Sequence, residues 1–466
     1  MRTHFDLCII GSGSGNTILD ERFDDWQVAI VERGVYGGTC LNVGCIPTKM
    51  FVYPADLAVG TREANILGVD AWVEDVRWPE IRDRVFGRID PISAGGLDYR
   101  KSLDNVTVFE GHGRFTGPKT LEVNGQTITA DRFVIAAGAR TMVPEITGLD
   151  EVPYDTSDSI MRIDQVPDRL VIIGGGFIAL EMAHVFDAFG SNVTIVARGD
   201  RLGRSEDIEI SQRITDSMVD RLDVRLSSSV RSVRYEEATY GGTFHLEIVG
   251  PEGEETIEAD RVLVASGRVP NGDQLGVEAA GVRLDRDGYV ITDATMLTDA
   301  EGVWALGDVR SPLQLKHVAN HEARIVQHNV LYPDSPQTVR EDVVPYGIFT
   351  HPQIGSVGLK EHEAVEHGIR HVAVVKEYGH TAYGWAMEDE TSCAKLIGDP
   401  ETRTLLGAHI IGFEAAVLIQ QLVQGMVFGL TVDQMARDVM YPHPALSEVV
   451  ENALLDLADA MDRASK

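Results

Sequence analysis

The sequence predicts an α/β protein with two copies of one strand–glycine turn–helix–strand unit and an α+β region after them. Three observations carry that expectation. "FDLCIIGSGSGN" and "DRLVIIGGGFIA" share one pattern, an apolar β-run closed by glycines, and each reaches a second strand some way on, "QVAIVERG" and "NVTIVARG". Each unit also has a later strand ending in a small-residue turn, "RFVIAAGAR" at Gly138 and "RVLVASGRVPN" at Gly267. Beyond residue 345 the texture changes. Strand-like "HVAVVKEYG", "SCAKLIGD" and "RTLLGAHIIG" precede helical "EAAVLIQQLVQGMVFG" and an acidic helix from Ser447. The second unit interrupts the first, which resumes at "GVWALGDV". The expected division is 1–150 and 271–345 for the first unit with a central region, 151–270 for the second, and 346–466 for the last domain.

The 466 residues carry 72 acidic and 41 basic side chains, a net charge of −31. Repulsion on that scale excludes nucleic acid and anionic membrane as partners. No apolar run is long enough to span a bilayer, and the N-terminus reads as a strand rather than a signal peptide. A cytoplasmic location is expected, where a permanent disulfide would be unusual. Only eight of the basic residues are Lys, and the carboxylates are dispersed along the chain. Such a composition resembles the surfaces of salt-adapted proteins, whose self-repulsion needs ions to screen it.

In the first turn Gly11, Gly13 and Gly15 lie between a strand and a predicted helix. Bringing backbone N–H groups onto a pyrophosphate at a helix N-terminus requires residues without side chains. The next fingerprint position is Asn16 rather than Gly or Ala. Glu32, closing the second strand, offers a carboxylate to a ribose hydroxyl, and Asp308 in "WALGDV" completes a flavin-dinucleotide pattern. FAD is expected here. The second turn, Gly174-Gly175-Gly176-Phe177-Ile178-Ala179, fits the dinucleotide fingerprint fully. The end of its second strand carries Arg198 and, soon after, Arg204, where a cofactor with a free ribose hydroxyl would want an acid. Guanidinium forks suit a 2′-phosphate, so NADPH is expected unless these arginines merely pair with Asp200, Glu206 or Asp207.

Two nucleotide sites imply electrons entering at one and leaving through the other. "GGTCLNVGCIPTK" holds Cys40 and Cys45, two of four cysteines, beside Gly38 and Thr39. A structural disulfide, half a metal site and a redox pair are the possible readings. Zinc would need further Cys or His ligands nearby, and Cys8 and Cys393 read as buried strand residues. No metal site is expected. A cysteine pair at a helix start beside a flavin can accept two electrons as its disulfide and hold them as a dithiol, which makes the redox pair the preferred reading.

On these residues the chain resembles, over essentially its whole length, the flavin-dependent pyridine nucleotide-disulfide oxidoreductases, which include glutathione reductase and lipoamide dehydrogenase. The resemblance implies a C-terminal dimerisation domain and an active site shared between two subunits. It implies that Cys45 faces the flavin, that Cys40 attacks substrate, and that Lys49 pairs with Glu181 near the flavin. It implies an aromatic gate at Phe177. It also implies that His443 of "YPHPALSEVVENALL", oriented by Glu448, is the acid-base of the partner subunit's site. "GSGSGNTILDERF", "LKHVANHEARIVQHN" and "YGWAMED" resemble the mycothione reductase branch. The acidic composition resembles instead a halophilic archaeon, where γ-glutamylcysteine is the small thiol. The expected reaction is therefore NADPH-driven reduction of bis-γ-glutamylcystine. Mycothione reduction and an NAD-dependent dihydrolipoamide dehydrogenase are the alternatives. For the substrate's carboxylates, Arg22 is the cation expected near the first turn.

Overall fold

Continuous apolar runs such as "DLCII" and "QVAIV" belong to strands covered on both faces, and that is where the chain puts them. In the computed structural model, which describes residues 2–238 and 241–464, His4–Ile10 lies between Val28–Glu32 and Gln126–Ile135. Val106–Glu110 extends one side and Val303–Ala305 the other, so five strands run parallel. Leu7, Cys8 and Ile9 are fully buried. An antiparallel meander, Gly113–Gly117 and Thr120–Val123, continues from Gln126–Ile135.

The second unit repeats this plan. Asp223–Arg225, Asn192–Val196, Arg169–Ile173 and Arg261–Val264 form a parallel sheet, accompanied by an antiparallel meander of Ser229–Ala238, Gly241–Gly250 and Gly253–Ala259. The chain leaves the first unit through Ala139–Thr141 and returns through Arg268–Pro270, and these two segments pair antiparallel. Leu149, beyond the outward segment, packs in the core of the second unit.

The last region is a five-stranded antiparallel sheet in the order Pro345–Ile348, Gln353–Gly358, Leu405–Gly412, Cys393–Gly398, Val372–Glu377. Helices Ala415–Phe428 and Glu448–Ala464 cover it with Leu418, Leu422, Leu454 and Leu457. A single apolar core joins all three regions. Phe51 of helix Cys45–Glu63, Trp78 of helix Trp78–Ser102 and Phe186 of helix Phe177–Ala188 share it with Ile348 and Ile411 of the last sheet. Buried charges add to the join: Lys395 lies 2.7 Å from Asp207 and 2.6 Å from Glu361. Among the described residues no helix is long and apolar enough to cross a membrane.

One expectation changes. After the first glycine turn there is no α-helix, only the 3₁₀ turns Ser14–Ile18 and Glu21–Phe23. The Arg100 guanidinium donates to the carbonyls of Asn16 (2.9 Å) and Leu19 (3.4 Å), taking the place of further helical turns. The Asn16 side chain accepts from both Tyr36 Oη (2.7 Å) and Arg100 Nε (2.8 Å). The anomalous fingerprint position is thus a hub that ties the turn to helix Trp78–Ser102.

Candidate active site

Both glycine turns are built the same way. Gly11 and Gly174 adopt φ of +105° and +139°, and a Cβ on either would sit 2.2 Å from a carbonyl oxygen, of Ala136 and Ala265 respectively. No other residue can turn the chain there. Gly13 lies against Gly38, where a Cβ on Gly38 would come within 2.6 Å of the Gly13 Cα. This approach brings the turn and the Cys40 segment together, with Thr39 between them in sequence. Glu32 closes the same corner: its carboxylate accepts from Ser12 N (2.9 Å), Ser12 Oγ (2.7 Å) and Gly34 N (2.8 Å). It borders a cavity of about 520 Å³ with Tyr36 and Asn42. The buried Asn42 Oδ1 has no hydrogen-bond partner. Asp308 follows strand Val303–Ala305, where burial pushes its carboxyl up. Close-packed glycines, an orphaned buried acceptor and a half-buried carboxylate fit a bound FAD.

Gly176 has open space in front of it at the start of helix Phe177–Ala188, and Phe177 is 47% exposed there. Ile178 follows, partly buried against the shared core. Arg198 is exposed. Arg204 is also exposed and lies 3.9 Å from Asp200. Glu206 is buried and accepts from Tyr346 Oη (3.1 Å) and Ser356 Oγ (2.9 Å), while Asp207 takes Lys395. Neither of these acids occupies the two arginines; of the three candidate partners only Asp200 stands beside Arg204, and both guanidinium groups remain exposed. Gly138 and Gly267 stand beside the paired segments that connect the units.

Cys40 and Cys45 are free thiols, and Cys8 and Cys393 are buried in strands. Cys45 opens helix Cys45–Glu63, which carries Lys49 one turn on. The neighbouring Cys40 thiol, aided by the Lys49 ammonium, brings the Cys45 thiol down to about 7, and Cys45 together with burial pushes the Cys40 thiol up. The two thiols are therefore unequal, with the thiolate on Cys45. Lys49 Nζ lies 2.5 Å from Glu181 Oε1 and 4.4 Å above the Phe349 ring. His443 Nδ1 lies 2.7 Å from Glu448 Oε1, at the start of helix Glu448–Ala464. Its side chain is 72% exposed, facing out of the subunit that carries it. The imidazole holds the Glu448 carboxyl below its usual value.

Two features were not legible in the sequence. Lys316 donates from Nζ to Ser14 Oγ (2.8 Å), placing a cation at the first glycine turn. Phe349 reaches the Lys49–Glu181 pair from the last domain. Only their closeness in space to the motifs, across long separations in sequence, marks them out. In the other direction, Arg22 is committed to Asp20, with three hydrogen bonds of 2.6–3.1 Å from its side chain. It is not a free cation for a substrate carboxylate.

The fold and the dithiol site define a flavoprotein that moves electrons from a nicotinamide to a disulfide. Residues 5–323 match the pyridine nucleotide-disulphide oxidoreductase family and residues 344–454 its dimerisation domain, and the chain belongs to that family. It is 48% identical to the mycothione reductase of Mycobacterium tuberculosis, over 97% of this chain and 99% of that one. It is 32% identical to a dihydrolipoyl dehydrogenase of Thermus scotoductus, over 98% of each. Among solved structures it resembles the HOCl-induced flavoprotein disulfide reductase RclA from Escherichia coli, with a TM-score of 0.82, 28% identity and coverage of 97% and 99%. The chain is an oxidoreductase that uses FAD and NADPH, works as a homodimer and reduces a small-molecule disulfide.

Proposed function

We propose that the substrate is a symmetrical low-molecular-weight thiol disulfide, bis-γ-glutamylcystine, reduced to two thiols at the Cys40–Cys45 pair. The observation that supports this class of chemistry is the pair of free thiols, Cys40 and Cys45, at the start of the helix that carries Lys49, whose ammonium is paired with Glu181. Bound FAD would supply a two-electron relay between NADPH and the dithiol. Gly11, Gly13, Gly15, Gly38, Thr39, Glu32, Gly138 and Asp308 would hold it, while Gly174, Gly176, Phe177, Ile178, Gly267, Arg198 and Arg204 would hold NADPH.

Starting from the dithiol, Cys40 gives up its proton to His443 of the partner subunit and attacks one sulfur of the substrate. The S–S bond breaks, and the departing thiolate takes the proton back from that imidazole, which Glu448 orients. Cys45 then attacks the Cys40 sulfur of the mixed disulfide. The second thiolate leaves and is protonated, and a Cys40–Cys45 disulfide remains. Two electrons from NADPH restore the dithiol. In sum, NADPH, one proton and one disulfide give NADP⁺ and two thiols. An imidazole suits the task because it exchanges a proton near neutrality.

The choice of bis-γ-glutamylcystine rests on the acidic, lysine-poor composition, read as that of a cytoplasmic enzyme from a halophile. Mycothione is the second reading, favoured by the 48% identity with a mycothione reductase. Specificity constants for bis-γ-glutamylcystine, mycothione, glutathione disulfide and lipoamide, measured in molar salt, separate them. A tenfold lead for mycothione or lipoamide would overturn the first choice and leave the dithiol chemistry standing.

A further inference from the structure

We propose that Phe349, carried on the C-terminal domain, is the positioning residue that holds the Lys49 ammonium in register with the dithiol. The inference rests on the proposed assignment of Lys49 and Cys45 and extends it across a domain boundary. Lys49 is one turn into the helix that Cys45 opens, and its long side chain has four rotatable bonds to restrain. Two contacts restrain it: Glu181 Oε1 at 2.5 Å, and the Phe349 ring face with its centroid 4.4 Å from Nζ. The same Glu181 oxygen accepts the Phe349 backbone N–H at 2.9 Å. Phe349 therefore touches both members of the pair, fixing the acceptor with its backbone and backing the cation with its ring.

Phe349 follows strand Pro345–Ile348, on the loop that also carries His351. His351 lies 3.0 Å from Glu63, at the far end of the helix that Cys45 begins. Its ring stacks on His184 at 6.1 Å, and His184 in turn lies 2.7 Å from Asp56 of that helix. The loop thus clasps the redox helix near both ends. The groups acting on the Cys45 sulfur are the Cys40 thiol, the Lys49 ammonium, the helix's own N–H and, in opposition, Glu181. Of these, the ammonium is the one whose position depends on a ring from another domain.

Because a backbone N–H survives a change of side chain, Phe349→Leu isolates the ring. The readout is the pH midpoint of the thiolate–flavin charge-transfer band in the reduced holoenzyme, which reports Cys45 and not turnover. A cation–π contact of ordinary strength should make Phe349→Leu raise that midpoint by about half a pH unit. Phe349→Tyr, which keeps the ring, should restore it. Lys49→Met should raise it further, and Phe349→Leu should add nothing in the Lys49→Met background. An unmoved midpoint in Phe349→Leu, while Lys49→Met shifts it, would overturn the positioning role alone. Additive shifts in the double variant, or a Tyr variant that behaves like Leu, would overturn it too. If Lys49→Met leaves the midpoint in place, the assignment of Lys49 fails, and the proposal fails with it.

Discussion

Cys40 and Cys45 show how two chemically identical side chains acquire different acidities. Each thiol acts on the other, lowering Cys45 and raising Cys40, and the nearby Lys49 ammonium reinforces the difference. Cys45, at about 7, is ionised above neutrality and protonated below it, so the charge-transfer band of the reduced enzyme should fade as pH falls through that region. Cys40→Ser should abolish disulfide reduction while the band, recorded by visible absorption, persists. Normal turnover by that variant would remove Cys40 from the nucleophile's role. His443 is assigned a separate half of the cycle. Stopped-flow measurement of His443→Ala should show thiol–disulfide interchange slowed by about a hundredfold, with flavin reduction by NADPH nearly unchanged. Equal losses in both halves would point to a structural effect.

At the scale of elements, the proposed determinant of the nicotinamide cofactor lies at the end of strand Asn192–Val196. Arg198 and Arg204 sit just beyond it, unclaimed by the buried Glu206 and Asp207. Each charge-assisted contact to a 2′-phosphate is worth about 1.5–3 kcal/mol. Replacing both with Ala should raise the KM for NADPH steeply and leave that for NADH almost unchanged. Equal changes in steady-state assays would assign the arginines to structure. Asp207 has a different duty. It caps helix Ile208–Arg221 through Glu209 N and takes Lys395 from the last sheet. Burial pushes its carboxyl up, but the Lys395 and Glu361 hydrogen bonds outweigh that and hold it below the usual Asp value. A depressed folded-state value means stability present above about pH 4 and lost on acidification through the lower folded value. Lys395→Met would leave a buried carboxylate without its cation, and should cost about 3–5 kcal/mol in denaturant unfolding at neutral pH.

For the whole molecule the governing quantity is the net charge of −31 on each chain of the homodimer. The screening length grows from ~3 Å in 1 M salt to ~10 Å in 0.1 M. Carboxylates within each subunit and across the dimer then repel one another more strongly. Activity and the thermal midpoint should both fall on dilution from molar to 0.1 M salt, followed by NADPH oxidation and by calorimetry. A flat response would separate the acidic composition from salt adaptation.

The sequence by itself determined the two nucleotide units and the residues of the dithiol. Each of these is written in a short stretch of chain. A glycine at φ of +105° is demanded by its own turn, and the order Cys40 to Lys49 is set within one segment leading into one helix. Resemblance to a known family then supplied roles for Lys49, Glu181 and His443 that spacing could not. Tertiary structure alone decided the rest. It turned Asn16 into a hub for Arg100 and Tyr36, removed Arg22 from the pool of free cations, buried Glu206 away from the arginines, and brought Phe349 over Lys49. These outcomes depend on which side chains meet after distant segments pack, and on which charges find partners before a ligand arrives. Local pattern carries no record of either, because the contacts join residues with no fixed relation along the chain.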